Sequence, residues 1–178
     1  MTGKIAILRG INVGGKRIIR MEDLKLLFTN LGYKNPVTYI QSGNVLFDAE
    51  NNISDLKIAF SIEKAIHQKF DFEVPVIVRS VNELKDRIKK NPFGTADINK
   101  LHITFLKDKP TQENSEKVES FQYEPDRFAI KGKEIFIYCE GKYHKTKLNN
   151  NFFEKQLEIQ ATTRNWKTLL KLVELSEK

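Results

Sequence analysis

The first half of the chain switches repeatedly between two hydrophobic periods, and this limits the possible folds more than any other feature of the sequence. Strand-like apolar segments occur at 4–9, 37–41, 45–47 and 74–78. Between them, apolar side chains recur every three or four residues at 21–31 and 53–70. The first pattern is typical of β-strands and the second of amphipathic helices. The resulting order predicts the βαββαβ arrangement of a ferredoxin-like fold over residues 4–79.

The second half repeats this order incompletely. Strand-like segments at 101–105, 128–130 and 135–138 accompany a weak helix at 112–121, and helices are predicted at 149–157 and 162–175. The last helix carries an apolar stripe that begins at Trp166, so we expect this indole to be buried. The sequence therefore predicts an α+β protein of two ferredoxin-like subdomains, the first βαββαβ and the second βαββα plus an extra C-terminal helix. The breaker Asn91-Pro92 divides the chain into residues 1–92, a subdomain with a trailing helix, and residues 93–178.

Composition excludes several classes of protein. With 40% hydrophobic and 30% charged residues, the chain resembles ordinary folded proteins and is neither disordered nor collagen-like. Its longest apolar runs have about four residues, whereas a membrane-spanning helix needs roughly 20, and no secretory signal is recognisable. The single cysteine, Cys139, excludes an internal disulfide. We therefore expect a cytoplasmic protein that does not associate with membranes.

The histidines do not indicate a metal site. His67, His102 and His144 fall in different predicted elements, and none has a second ligand at a spacing typical of zinc or iron. No Gly-x-Gly-x-x-Gly motif follows the first strand, so a dinucleotide is not expected either. We expect neither a metal nor a cofactor. His144, in a basic loop at 142–147, is the histidine best placed for acid–base chemistry.

Positive charge is concentrated towards the two ends of the chain. The net charge is +7, and residues 1–20 contain five basic side chains and no acidic one. Residues 141–171 contain seven basic side chains and two acidic ones, whereas residues 21–140 are slightly acidic. If the fold brings the two basic segments together, their fields add and attract anions. The alternative is that these are solvated side chains that keep the protein soluble.

The segment 10–17, with the sequence GINVGGKR, differs at one position from the phosphate-binding P-loop pattern. Arg17 stands where a Ser or Thr hydroxyl would bind Mg²⁺, and the next helix begins too late for its amides to meet a phosphate. The pattern therefore argues against a nucleoside triphosphatase. A glycine-rich loop between Arg9 and Lys16-Arg17 still offers amides and cations that suit an oxyanion. The alternative is a simple crossover loop.

Two further segments contribute possible ligand residues. Ser42-Gly43-Asn44 is predicted to form a hairpin tip, and with Gln41 it can line a polar site. Residues 162–166 are predicted to open the last helix, so that Arg164 opposes the helix dipole and has another task, such as binding an anion. Together these observations predict one anion site built from both basic segments, comprising Arg9, Asn12, Gly14, Gly15, Lys16, Arg17, Gln41, Ser42, Asn44, Lys145, Lys147, Arg164 and Asn165.

Four segments carry a family resemblance. They are LRGINVGG at 8–15, YIQSGNV at 39–45, NPF at 91–93 and TRNWKT at 163–168. On these motifs the chain resembles the bacterial family known as domain of unknown function 1697, in the same order over nearly its whole length. The resemblance implies a cytoplasmic α+β protein of two ferredoxin-like subdomains and implies no activity. The first and last motifs coincide with the two basic segments, which strengthens the prediction of a shared site.

Three classes of function are compatible with the sequence. The favoured one is a binding module for a phosphate-bearing or other anionic ligand, either a nucleotide or a nucleic acid. The second is an enzyme acting on a small anionic metabolite, with Arg9 and Arg164 as clamps and with Ser42, His144 or a lysine in the chemistry. The third is a structural or regulatory interaction protein. The sequence decides neither whether the protein is an enzyme nor its oligomeric state.

Overall fold

The fold was analysed in a computed structural model that describes residues 2–177. The first half contains β1 (Thr2–Leu8), α1 (Met21–Asn30), β2 (Lys34–Tyr39), β3 (Asn44–Ala49), α2 (Asp55–Phe70), β4 (Val76–Ser80) and α3 (Val81–Lys89). The second half contains β5 (Leu101–Leu106), α4 (Gln112–Glu119), β6 (Arg127–Lys131), β7 (Glu134–Tyr138), α5 (Asn150–Leu157), β8 (Ala161–Asn165) and α6 (Trp166–Leu175). Short 3-10 helices occupy Ile98–Lys100 and Tyr143–Lys145.

The strands form two antiparallel sheets with the same topology. The first has the order β2-β3-β1-β4 and the second the order β6-β7-β5-β8. In each sheet the first and third strands in chain order are paired at the centre, and the fourth strand adds to the other side of the first. This is the order of a split βαβ fold. The prediction of an α+β protein with two ferredoxin-like subdomains is confirmed.

The chain divides into two compact units. The first contains the residues up to Lys85 and those from Leu172 onwards, and the second contains Asp86–Lys171. The division therefore falls once inside α3 and once inside α6, whereas the sequence placed a single boundary after residue 92. The first unit is discontinuous in the sequence.

The second unit has one strand more than the sequence predicted. Residues 161–165 form β8, antiparallel to β5, where the start of a helix was expected. Thr163 lies opposite Thr104, and their hydroxyl oxygens are 2.6 Å apart. Threonine is β-branched and favours strands over helices. The helix begins only at Trp166, and the residue that caps it is Asn165, whose Oδ1 accepts a hydrogen bond from the Thr168 backbone N–H at 2.8 Å.

In each unit, two helices pack on one face of the sheet, α1 and α2 in the first and α4 and α5 in the second. In the first unit, alternate residues of the strands meet the apolar sides of α1 and α2, and the Phe28 and Phe47 rings pack edge to face with centroids 5.1 Å apart. In the second unit, the corresponding core is formed by Leu106, Val118, Ile135, Ile137, Phe153 and Leu157. The period-two and period-3.6 patterns of the sequence are thus the inward-facing positions of strands and helices.

Trp166 should contribute strongly to stability because it is a core residue. Its side chain is 4% exposed and its ring centroid lies 6.1 Å from that of Phe136. Removing a buried aromatic side chain leaves a cavity, so we expect Trp166→Ala to lower the free energy of unfolding by about 3–5 kcal/mol. Urea denaturation measures this, with the exposed neighbour Lys167→Ala as a control that should change stability by less than about 0.5 kcal/mol. Equal midpoints for the two variants would show that the indole is not part of the core.

Candidate functional site

Asn12 holds the glycine-rich loop after β1 in place. Its side-chain Nδ2 donates hydrogen bonds to the backbone carbonyls of Ile19 and Gln41, both at 2.9 Å. Its Oδ1 accepts a hydrogen bond from the Ile19 backbone N–H at 2.8 Å, and its own N–H donates to the Arg17 carbonyl at 3.2 Å. Asn12 therefore closes the loop at its base and fixes it to the β2–β3 hairpin. Asn12 was predicted to be part of the anion site, and the structure shows its side chain in this bracing role.

The tip of the loop is a tight turn at Gly14-Gly15. The Lys16 N–H donates to the Val13 carbonyl at 3.1 Å, and the two glycines have φ values of 59° and 71°. Two consecutive positive φ values are typical of a type I′ hairpin turn and favour glycine. A Cβ added at either glycine would meet no atom within 4 Å, so the tip is surrounded by open space.

The Ser42-Gly43-Asn44 hairpin tip packs against the base of this loop. A Cβ added at Gly43 would lie 2.8 Å from atoms of Leu8 and Ile11, and the Gly43 carbonyl accepts a hydrogen bond from the Leu8 N–H at 2.8 Å. Asn44 is fully buried, and its Nδ2 donates to the Tyr39 carbonyl and the Ser42 Oγ, both at 3.1 Å. The two sequence motifs therefore form one packed structure.

Exposed cations follow the tip of the loop along the chain. Lys16, Arg17 and Arg20 are exposed, and no acidic residue occurs between Arg9 and Met21. The Arg17 guanidinium folds over Gly10, where an added Cβ would lie 3.3 Å from its Nη1. Nine of the thirteen predicted residues lie in the first unit, namely Arg9, Asn12, Gly14, Gly15, Lys16, Arg17, Gln41, Ser42 and Asn44. Arg20 was not among the predicted site residues, although it belongs to the stretch without acidic residues that indicated the site.

The two predicted lysines of the second unit lie on an anchored loop. Lys145 ends a short 3-10 helix and Lys147 follows it, and both are exposed. Lys147 places its Nζ 5.9 Å from the Tyr123 ring centroid. The loop is held by Tyr143, whose ring stacks on His102 with centroids 4.5 Å apart. The remaining predicted residues, Arg164 and Asn165, lie in β8.

Arg164 is a strand residue, so the argument from the helix dipole was wrong. It is half-buried, and its Nη1 donates hydrogen bonds to the Thr162 Oγ1 at 3.1 Å and to the Thr163 carbonyl at 2.9 Å. Burial lowers the pKa of its guanidinium to about 10, because water stabilises the charged form better than the protein interior does. Arg164 remains protonated at neutral pH.

An equivalent arginine occurs in the first unit. Arg79 lies opposite Ile5 on the first strand of its sheet, as Arg164 lies opposite Ile103. Each Nη1 donates to the carbonyl of the preceding residue at 2.9 Å. Each arginine is also followed by a residue that caps the next helix, and Ser80 Oγ accepts from the Glu83 N–H at 3.2 Å just as Asn165 accepts from Thr168. Arg164 therefore occupies a structural position that both units repeat.

The single cysteine of the chain, Cys139, lies buried in the second unit. Burial raises the pKa of the Cys139 thiol to about 11, with Asp126 adding to the effect, so this cysteine is a neutral thiol at physiological pH.

Among residues 2–177, no group of three His, Cys, Asp or Glu side chains is arranged to hold a metal ion. In the same part of the chain, no helix is both long and apolar enough to cross a bilayer.

Comparison with known proteins identifies the family of the chain. A family model described as "Protein of unknown function (DUF1697)" matches residues 1–136. The chain belongs to this family. It is also similar to a solved structure described as that of conserved bacterial protein SP0830 from Streptococcus pneumoniae, with 24% identity, a TM-score of 0.76 and coverage of 97% of each chain. That similarity shows the fold. No curated protein is similar enough in sequence to count as a relative.

Substitution of two glycines should separate packing from backbone strain. Gly43 (φ 83°) and Gly14 (φ 59°) both have positive φ, but only Gly43 is in close contact with other residues. We expect Gly14→Ala to cost about 1–2 kcal/mol from the left-handed backbone, and Gly43→Ala to cost about 1–3 kcal/mol more because Leu8 and Ile11 must move. Urea denaturation of both variants measures the difference. Equal losses would contradict the close packing of the two motifs.

His102 should make stability depend on pH. Burial of the imidazole lowers its pKa, because the charged form is stabilised less well in the protein interior than in water. The unfolded chain therefore binds the proton more readily than the folded protein does. Above about pH 6.5 His102 is neutral in both states, so its full contribution to the free energy of unfolding is present. As pH falls below that value, the unfolded state takes up the proton first and this contribution is lost. His102→Gln should lose less stability than the wild type between about pH 7.5 and pH 5.5. The exposed His67→Gln is the control, and parallel pH profiles for the wild type and His102→Gln would refute the prediction.

Proposed function

We propose that the protein is a binding module for phosphate-bearing polyanions, and that its contact surface is the segment 10–20 of the first unit, here called the cationic loop. The observation that carries the proposal is the presentation of Lys16, Arg17 and Arg20 on a loop that Asn12 holds in place. A braced backbone loses little conformational entropy on binding, so the loop presents these side chains from fixed backbone positions.

The open surroundings of the tip favour an extended ligand over a small one. The space around Gly14 and Gly15 is empty to at least 4 Å from an added Cβ. A small metabolite would be held from one side, and specific sites for small ligands enclose most of the ligand surface. A nucleic acid instead offers successive phosphates to successive cations, and each neutralised phosphate releases counterions. We therefore favour a nucleic acid over a nucleotide.

The exposed apolar side chains of the cationic loop are compatible with this ligand. Val13 is 65% exposed and Ile18 is 57% exposed, on either side of Lys16 and Arg17. Aliphatic side chains contact sugars and, on the base edges, the methyl group of thymine, so they read little of the base sequence. The proposal is accordingly binding that depends on phosphates and salt, with little sequence preference.

A salt titration tests the proposal. Fluorescence anisotropy with labelled single-stranded and duplex oligonucleotides should give binding constants whose logarithm falls linearly with the logarithm of the salt concentration. The variant Lys16→Ala/Arg17→Ala/Arg20→Ala should reduce the magnitude of that slope by about 2–3, because each lost phosphate contact removes about 0.7–0.9. Inorganic phosphate and a mononucleotide, used as competitors, test the small-ligand alternative.

A matched variant controls for net charge. Lys34, Lys57 and Lys64 are exposed lysines of the same unit outside the cationic loop. Their triple substitution by Ala removes the same charge and should leave the slope nearly unchanged. Equal effects of the two triple variants, or the absence of oligonucleotide binding by the wild type at low salt, would refute the proposal. Lys145→Ala/Lys147→Ala then tests whether the cations of the second unit take part.

A further inference from the structure

A groove runs along β6 in the second unit, away from the cationic loop. Among the described residues, β6 pairs with β7 only, so it is an edge strand of its sheet. Two cavities of about 460 Å³ and 450 Å³ line this edge and share Glu119 and Ile130, so they are adjacent. One wall of the groove is β6, and the other is formed by α4 and the segment that connects α4 to β6.

The backbone of β6 has hydrogen-bonding groups that face this groove. A two-residue turn, Gly132-Lys133, joins β6 to β7, and the pair Lys131 and Glu134 closes it. In such a hairpin the closing pair exchanges both backbone hydrogen bonds, and successive residues then alternate between facing the partner strand and facing away. The N–H and C=O groups of Phe128 and Ile130 therefore face away from β7, and both residues line the groove.

The two faces of β6 differ in chemistry. Phe128 and Ile130 lie on the side of the sheet that packs on the helices, next to aromatic side chains of the groove wall. Arg127 and Lys131, at the two ends of the strand, lie on the opposite side and are exposed. Those aromatic side chains are Phe121 and Tyr123. The Phe93 ring lies on the opposite side, with its centroid 5.5 Å from the Arg127 guanidinium carbon.

We infer that β6 accepts an extended peptide of a partner protein as an additional strand. Backbone hydrogen bonds to Phe128 and Ile130 would hold the peptide, and the cavities would receive its side chains. Side chains of an added strand alternate between the two faces of the sheet, and direct neighbours across strands interact. The peptide that fits has apolar residues at alternate positions, facing the aromatic wall, and acidic residues between them, facing Arg127 and Lys131.

Charge also argues against a second copy of this chain as the occupant. Antiparallel pairing of two β6 strands would place Arg127 of one copy opposite Lys131 of the other at both ends, and like charges directly opposite are destabilising. Edge strands commonly carry such cations as protection against self-association. Glu119 and Glu124 line the wall on the helix side, where the proposed peptide presents uncharged side chains.

The experiment uses the full-length protein and a labelled synthetic peptide of about nine residues, enough to span β6. The peptide alternates glutamate and valine and has one central phenylalanine in place of a valine. A second peptide replaces every glutamate by lysine, and a third carries N-methyl groups on alternate backbone amides. Fluorescence anisotropy should show binding of the first peptide and at least about tenfold weaker binding of the other two.

Variants locate the binding site. Phe121→Ala removes part of the aromatic wall and should weaken binding at least about tenfold. Arg127→Glu should weaken binding of the glutamate peptide and strengthen binding of the lysine peptide. Lys117→Glu makes a comparable charge change at an exposed position of α4 that does not line the groove, and it should have no effect beyond a small general one. The Lys16→Ala/Arg17→Ala/Arg20→Ala variant should bind the glutamate peptide as the wild type does.

Hydrogen exchange provides a second readout that does not depend on the variants. The amides of Phe128 and Ile130 should exchange more slowly when the glutamate peptide is bound, because they become donors in the new ladder. The inference is overturned if the peptide does not bind at millimolar concentration, or if the N-methylated peptide binds equally well. It is also overturned if binding leaves both amides unprotected, or if the cationic-loop variant abolishes it, since the peptide would then bind elsewhere as a simple anion.

Discussion

One carboxamide, that of Asn12, determines the arrangement of the most distinctive part of the sequence. It satisfies three backbone groups at once, the N–H and C=O of Ile19 and the C=O of Gln41. A partly buried backbone group without a partner costs about 1–3 kcal/mol, so no aliphatic side chain could replace it. Asparagine also tolerates the left-handed backbone found here, where φ is 56°. The position of the exposed cations, and the close packing beneath Gly43, both depend on this bracing.

This dependence explains why the motifs looked like a binding site in the sequence. Polar residues between glycines are typical both of ligand-binding loops and of loops that need internal hydrogen bonds. Asn12 and Asn44 belong to the second kind, since their side chains bond to backbone carbonyls of the same unit. The distinction rests on a contact between residues 12 and 41, which lie far apart in the sequence. Local patterns therefore identified the region but could not assign each residue its task.

The fold was predictable where strands and helices have a strong hydrophobic periodicity. It was not predictable where polar contacts determine whether a segment is a strand or a helix. The six elements of the first unit from β1 to β4 have apolar patterns, and their order was correctly predicted. β8 has the sequence ATTRN, in which only Ala161 is apolar, and it is held by pairing with β5 and by the Thr104 and Thr163 hydroxyls. The repeat of Arg79 and Arg164 was invisible for the same reason, because VIVRS and ATTRN have only the arginine in common.

The discontinuous first unit has a consequence for how the protein is made. Leu172 is buried and belongs to this unit, as does Glu177, whose carboxylate lies 2.9 Å from the Lys85 Nζ. During synthesis the chain emerges from its N-terminal end at about 5–20 residues per second, and domains made first usually fold first. Here the earliest part of the chain can pair its four strands but must wait for residues 172–177 before its interior is complete. The second unit, made later, is the first to have all of its residues available.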